Sequence, residues 1–254
     1  MSAVLTIAKR DMKGFFASPK GAGTFWFILL LKGIFFGLFI VTFLEAQAQA
    51  PQYGGSGPTL EILVQHLFKN LQFIFLLAIP AFTMASFAEE KRSQSIRLLQ
   101  TAPVSSTQIV LGKFLAAIGL MGLVLLASAV YPIFLMAYGN PDIGLIGSTY
   151  LGLFLLMSSQ LAFGMWFSSM TSNQFMAILF TMLGLLILLM MNWIAPNLTS
   201  GGMAEDVVKY LATSEHFEPF VNGRITVRDC AYFLCFTATF LFFTNIVIDS
   251  QRWR

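Results

Sequence analysis

The sequence predicts an all-α polytopic membrane protein: six transmembrane helices, an amphipathic interfacial helix ahead of them, and a charged cytoplasmic helix between the second and third spans. Three observations carry that prediction. Of 254 residues, 57% are hydrophobic and 11% charged, an apolar share that no soluble core requires. Six apolar segments each reach or exceed the length of about 20 residues that a bilayer asks of a helix. Lysine and arginine collect on one side of those segments, as they do on the cytoplasmic face of membranes.

At the start, Val4, Ala8, Met12 and Phe15 recur at helical spacing with Lys9, Arg10 and Lys13 on the other side, so residues 1–20 form a helix lying in the interfacial plane. A plainer reading makes the same stretch a basic tail that keeps the N-terminus inside. Ser18 and Pro19 end the helix. The first long apolar run begins near Phe25 and is long enough to stay as an anchor, so no cleavable signal peptide is expected. The spans run Thr24–Leu44, Leu67–Ala88, Thr107–Ala137, Ile143–Ser168, Gln174–Ile194 and Asp229–Ile248.

The connections differ in character. Ala46–Pro58 is rich in Gly, Pro and Gln without periodicity and reads as a mobile outer loop, after which Thr59 and Glu61 offer a helix start. Pro80 and Pro132 each remove a backbone donor within a span and predict kinks, which can serve as hinges but are common in membrane helices. The turn SSMTSNQ after the fourth span carries no charge and leaves its side unsupported by the charge rule. Pro196–Arg228 mixes Glu205, Asp206, Lys209, Glu215, His216 and Glu218 with Val207, Val208, Tyr210, Leu211, Phe217 and Phe220, the make-up of a structured cap rather than a linker.

An even number of spans returns both termini to one side. Lys9, Arg10, Lys13, Lys20, Lys91, Arg92, Arg97, Arg252 and Arg254 all fall on that side, against Lys69, Lys209, Arg224 and Arg228 opposite. Both termini are therefore expected in the cytoplasm, and 196–228 outside it.

Phe87–Lys113, FAEEKRSQSIRLLQTAPVSSTQIVLGK, is the one dense island of charge between two apolar segments. Ala88–Thr101 can form a short amphipathic helix with Ile96 and Leu99 on one face and Glu89, Glu90, Lys91, Arg92 and Arg97 around the rest. Pro103 stops it. Ser105 and Gln108, three apart ahead of Ile109, Val110 and Leu111, spell a capping box for the next helix.

Residue by residue, the island resembles the coupling-helix region of the membrane subunits of ABC-2-type transporters, and is most similar to the permease family associated with bacterial gliding motility. The positions that match are Phe87, Glu89, Glu90, Lys91, Arg92, Leu98, Leu99, Thr101, Pro103, Val104, Ser105, Gly112, Lys113, Phe114, Leu115 and Ala116. Gln94 stands where that pattern has Gly and Arg97 where it has Glu, so the acid–base pattern offered to a partner differs. A second local match is SEHFEPFVNGRITVRDCAYF before the last span.

The resemblance implies one transmembrane domain over 1–254, with a coupling helix at 89–104. It implies an ATP-driven export complex in the bacterial inner membrane, with two copies of a separate ABC ATPase and a second permease, the same chain or a related one. A periplasmic or auxiliary membrane subunit is a further expected partner. ATP and Mg would sit on the ATPase, and this chain would bind no cofactor. The implied ATPase-coupling residues are Glu89, Glu90, Lys91, Arg92, Arg97, Leu98, Leu99, Thr101 and Pro103, beside Lys9, Arg10 and Lys13 of the interfacial helix. Its work is either export of a substrate or force delivered to an envelope machine such as a gliding apparatus.

Other chemistries find less support. The net charge of +3 comes from bases scattered at helix ends, which argues against nucleic acid as a partner. Cys230 and Cys235 lie five apart on different helix faces, so no disulfide is expected, and His66 and His216 make no metal-ligand cluster. No catalytic constellation stands at membrane depth, and Gly112–Lys113 lacks the flanking residues of a phosphate loop, so the chain is not expected to hydrolyse ATP. An ion-coupled secondary transporter is the alternative, but it calls for buried acids and repeated halves. Lys32 is the clear charge well within a span, roughly 10 Å along the first helix from Phe25. It either snorkels to the headgroups or lines a substrate path. Glu45, Asp142, Asp229 and Asp249 sit at span ends, where a charge costs little.

Overall fold

The computed structural model of the chain describes residues 3–50, 59–94, 104–139, 141–198 and 203–251. Among the described residues there are ten helices and no strand. In chain order they are α1 (Ala3–Ala17), α2 (Pro19–Gln49), α3 (Leu60–Arg92), α4 (Ser106–Ala127), α5 (Val130–Tyr138), α6 (Ile143–Met170), α7 (Gln174–Leu198), α8 (Met203–Leu211), α9 (Thr213–Val221) and α10 (Val227–Ser250). Six stretches are long and apolar enough to cross a membrane: Gly21–Gln49, Leu60–Arg92, Ser106–Ala137, Ile143–Met170, Gln174–Ile194 and Val227–Ser250. The expected all-helical, six-span architecture is the one observed.

The boundaries follow local chemistry. Extended Ser18 separates α1 from α2, and Pro19 takes the first helical position of α2, where its missing N–H costs nothing. Ala46–Gln49, expected in a loop, continue α2 instead, because alternating Ala and Gln are good helix formers; residues 51–58 of that loop lie outside the described residues. The capping box is present: the Ser105 hydroxyl accepts from the Gln108 N–H at 3.2 Å, and the Gln108 carbonyl oxygen accepts from the Ser105 N–H at 3.1 Å. Ser105→Ala is expected to cost about 1 kcal/mol in thermal unfolding of the micelle-solubilised chain. A loss indistinguishable from zero would mean that α4 draws nothing from its cap.

The two prolines behave differently. Pro80 lies inside α3, which continues through it. Pro132 stands four residues after Ser128, whose carbonyl its ring would meet in a regular helix, and the third span breaks there, at Ser128–Ala129 between α4 and α5. The uncharged turn after α6 is built from side-chain caps: Thr171 accepts from the Asn173 N–H and Asn173 from the Phe175 N–H.

α6 is the central helix and packs on α3, α10, α9, α7 and α4. Leu153, Leu156, Met157 and Leu161 are fully buried on it, and Ser158 and Ser159 satisfy their hydroxyls on carbonyls of their own helix. α2 is peripheral, with Trp26, Phe27, Leu30, Ile34 and Leu38 exposed, an apolar face suited to lipid. Before the last span, α8 and α9 pack onto the bundle and sink Phe217 and Phe220 into the core. A Cβ on Gly152 would lie 2.5 Å from the Phe220 Cβ, so only glycine lets α9 approach α6 this closely.

Candidate functional site

At one end of the bundle, α1, α3 and α4 meet through charge. α1 buries Ile7 and Ala8 against α4, where a Cβ on Gly112 would stand 2.8 Å from the Ile7 Cβ. That close approach brings four charges together. Lys113 bridges Asp11 at 3.1 Å and Glu90 at 2.8 Å, while Arg10 bridges Asp11 at 2.8 Å and Glu90 at 3.2 Å. Lys113 is only 4% exposed and lies over the Phe87 ring at 5.3 Å. With Lys113 buried and Arg10 half-exposed, the quartet stands because each charge faces opposite charges on both sides. Phe15 of α1 stacks on Phe82 of α3 just behind it.

The end of α3 is fastened to α6 as well. The Ser168 hydroxyl accepts from the N–H groups of Phe87 and Ala88 and donates to the Met84 carbonyl. The Lys91 ammonium donates to the Ser169 carbonyl at the last turn of α6, a cation placed where the helix leaves carbonyls without partners. On the other side, Ser106 donates to Asp249 of α10 at 2.7 Å. The start of α4 and the ends of α3, α6 and α10 therefore form one tied edge. A cavity of about 450 Å³ opens beside it, lined among others by Arg10, Asp11, Phe82, Glu89, Glu90 and Lys113.

The helix boundaries here differ from the expected ones. The separate helix over Ala88–Thr101 is not what the chain forms at its start: α3 runs unbroken through Arg92, and Gln94 then turns the chain with a positive φ of 61°. Residues 95–103, with Arg97, Leu98, Leu99, Thr101 and Pro103, lie outside the described residues. Glu89 and Arg92 are exposed, whereas Glu90 and Lys91 turn inward to Lys113 and to α6. Lys9, Arg10 and Lys13 are exposed on α1, and Arg10 also joins the quartet. Asp11 escaped sequence reasoning; its signal was a lone acid inside a basic stretch.

Lys32 turns into the bundle. It is 2% exposed, and its ammonium finds no hydrogen-bond partner among the described residues. Asp229 is likewise more than a charge at a span end. It is buried and bonded to His216 Nδ1 at 2.6 Å, while His216 Nε2 faces the Tyr210 carbonyl at 3.0 Å and its ring stacks on Tyr232 at 3.8 Å. Thr226 donates to the same carboxylate. The cap is thus locked onto α10 by a polar core, which is legible in sequence only as the helix-start pair Thr226 and Asp229. Cys230 and Cys235 are free, and no group of three metal-binding side chains occurs among the described residues.

A search of curated proteins finds no match. A family profile described as ABC-2 family transporter protein matches residues 5–245, nearly the whole chain.

Proposed function

Because this chain belongs to the ABC-2 family of transporter proteins, we propose that the tied edge of α1, α3 and α4 is where a separate ATPase drives it. The chain is a multi-pass membrane permease subunit of an ABC transporter, a non-catalytic component that associates with an ABC ATPase. The observation that carries the finer reading is the Arg10–Asp11–Glu90–Lys113 quartet. It joins the N-terminal helix to both spans that flank the charged island, so a push delivered at either place moves them together. Exposed Glu89 and Arg92 of α3 and Lys9 and Lys13 of α1 supply the contact surface.

In this reading both termini face the cytoplasm of a bacterial inner membrane. Two permeases, the same chain or a related one, sit on two ATPases that carry the ATP and Mg. ATP-driven closure tilts the spans, either to export a substrate or to deliver force to an envelope machine. The differential contacts of the two states supply the coupling free energy. An ion-coupled carrier is less well served: among the described residues the buried acid is Asp229, and it is held by His216.

The test is purification from the native membrane in mild detergent, with mass identification of partners and an ATPase assay. Recovery of an ATPase is expected, with turnover reduced about fivefold by Glu89→Arg combined with Arg92→Glu, the scale of one or two lost exposed charge pairs. Recovery without any ATPase would overturn the permease complex. Full turnover in the double variant would move the docking surface elsewhere.

A further inference from the structure

At the end of the bundle opposite the quartet, two arginines stand without acids. The other cations there are taken: Lys69 bridges Glu218 at 2.9 Å, and Lys209 bridges Glu205 at 2.6 Å with Asp206 and Glu215 near enough to act on it. Arg224 and Arg228 are exposed, and no ion pair among the described residues includes either. Asp229, next in sequence to Arg228, turns inward to His216 and Thr226. The Arg228 guanidinium lies instead over the Tyr210 ring at 5.4 Å, which orders a side chain otherwise rich in rotamers. Helix length fixes the level at which it stands. The 24 residues of α10 measure about 36 Å against about 30 Å of hydrocarbon. Asp249 is tied to the start of α4 at the quartet end, so Arg228, the second residue of α10, falls where hydrocarbon gives way to headgroups. Trp193 marks the same level: α7 starts beside the quartet at Gln174 and leaves this indole 74% exposed near its other end, as indoles stand at membrane interfaces. Ile225 and Val227 flank the arginines and are bare, Val227 at 86%.

We propose that the junction of α9 and α10, Arg224–Arg228, binds an anionic phospholipid of the leaflet on the cap's side, its phosphate paired with the two arginines and its acyl chains against Ile225 and Val227. A guanidinium fork presents parallel N–H donors that match phosphate oxygens. At most about 14 Å of chain separates the two residues, so one headgroup or two neighbours serve both. A zwitterionic lipid binds less well, because its own ammonium competes for the phosphate. An acidic protein would have to carry its carboxylates down to Val227 at the edge of the hydrocarbon and shed their water there. The bound headgroup also reaches the lock of the cap, since Arg228 lies on Tyr210 and the Tyr210 carbonyl faces His216 Nε2 at 3.0 Å. None of this depends on what the permease carries.

The test reads lipid affinity alone. Native mass spectrometry of the full chain in detergent micelles, titrated with dioleoylphosphatidylglycerol or dioleoylphosphatidylcholine, gives the dissociation constant of the first bound lipid. The phosphatidylglycerol is expected to bind roughly 25-fold tighter, about fivefold for each arginine. Arg224→Gln and Arg228→Gln should each loosen it about fivefold and together bring the two lipids level, while unchanged phosphatidylcholine binding shows that the fold is intact. Tyr210→Phe keeps the ring and should bind as the native chain does; Tyr210→Leu releases Arg228 and should loosen phosphatidylglycerol about threefold. Lys69→Gln with Glu218→Gln removes a charge pair of the same end and should leave the preference as it is. Equal affinity for the two lipids in the native chain overturns the proposal, and so does a preference that the Lys69 and Glu218 substitutions abolish. A preference that survives the double arginine variant overturns it too, and loss of a co-purified protein from that variant would give the junction to an acidic protein instead.

Discussion

Lys113→Met is expected to cost about 3–5 kcal/mol, because it leaves Asp11 and Glu90 facing each other without the buried ammonium that bridges them. The loss comes from stranded charge more than from a missing bond. Adding Glu90→Gln removes one of the two stranded carboxylates and retains the Arg10–Asp11 pair, so the double variant should recover part of the loss, with a coupling of about 1–3 kcal/mol. Reversing the pair, with Lys at 90 and Glu at 113, should not help. Each new charge would then stand beside a like one, Arg10 or Asp11. Unfolding in mixed micelles, followed by tryptophan fluorescence, measures all three. A cost below about 1 kcal/mol for Lys113→Met would show that solvent screens the quartet as it screens surface pairs.

Asp229→Ala is expected to act as strongly at the opposite end of the bundle, about 3–5 kcal/mol, since it strips a buried histidine and the Thr226 hydroxyl of their shared acceptor. Asp229→Asn keeps an oxygen for His216 Nδ1 and should cost less than half of that. The effect should be local. Limited proteolysis of the solubilised chain should cut first within α8 and α9 in Asp229→Ala, and more slowly in Asp229→Asn. Cleavage at the same rate in all three would detach the histidine from any role in holding the cap.

The spans were legible because a bilayer imposes one length and one composition on whatever crosses it, and the start of α4 was legible because Ser105 and Gln108 are three residues apart. What escaped was pairing at a distance. Lys113 meets Asp11 across 102 residues and Lys91 reaches Ser169 across 78, and no local pattern reports which charge at a span end turns inward. Lys32 shows the same gap in another form. Its position in the first span was plain, but whether its ammonium reaches the headgroups depends on how α3 packs beside it. The distinction between Glu89 and Glu90, one facing out and the other tied in, comes only from the packing of α1 on α4.

Gln94 leaves the end of α3 in the left-handed region, at a φ of 61°, where an L side chain costs about 1–2 kcal/mol and glycine does not. The joint between the second span and the charged island is therefore spring-loaded. Any rearrangement that lets Gln94 return to ordinary backbone geometry starts with that energy already in hand, whereas a glycine there would slacken the spring.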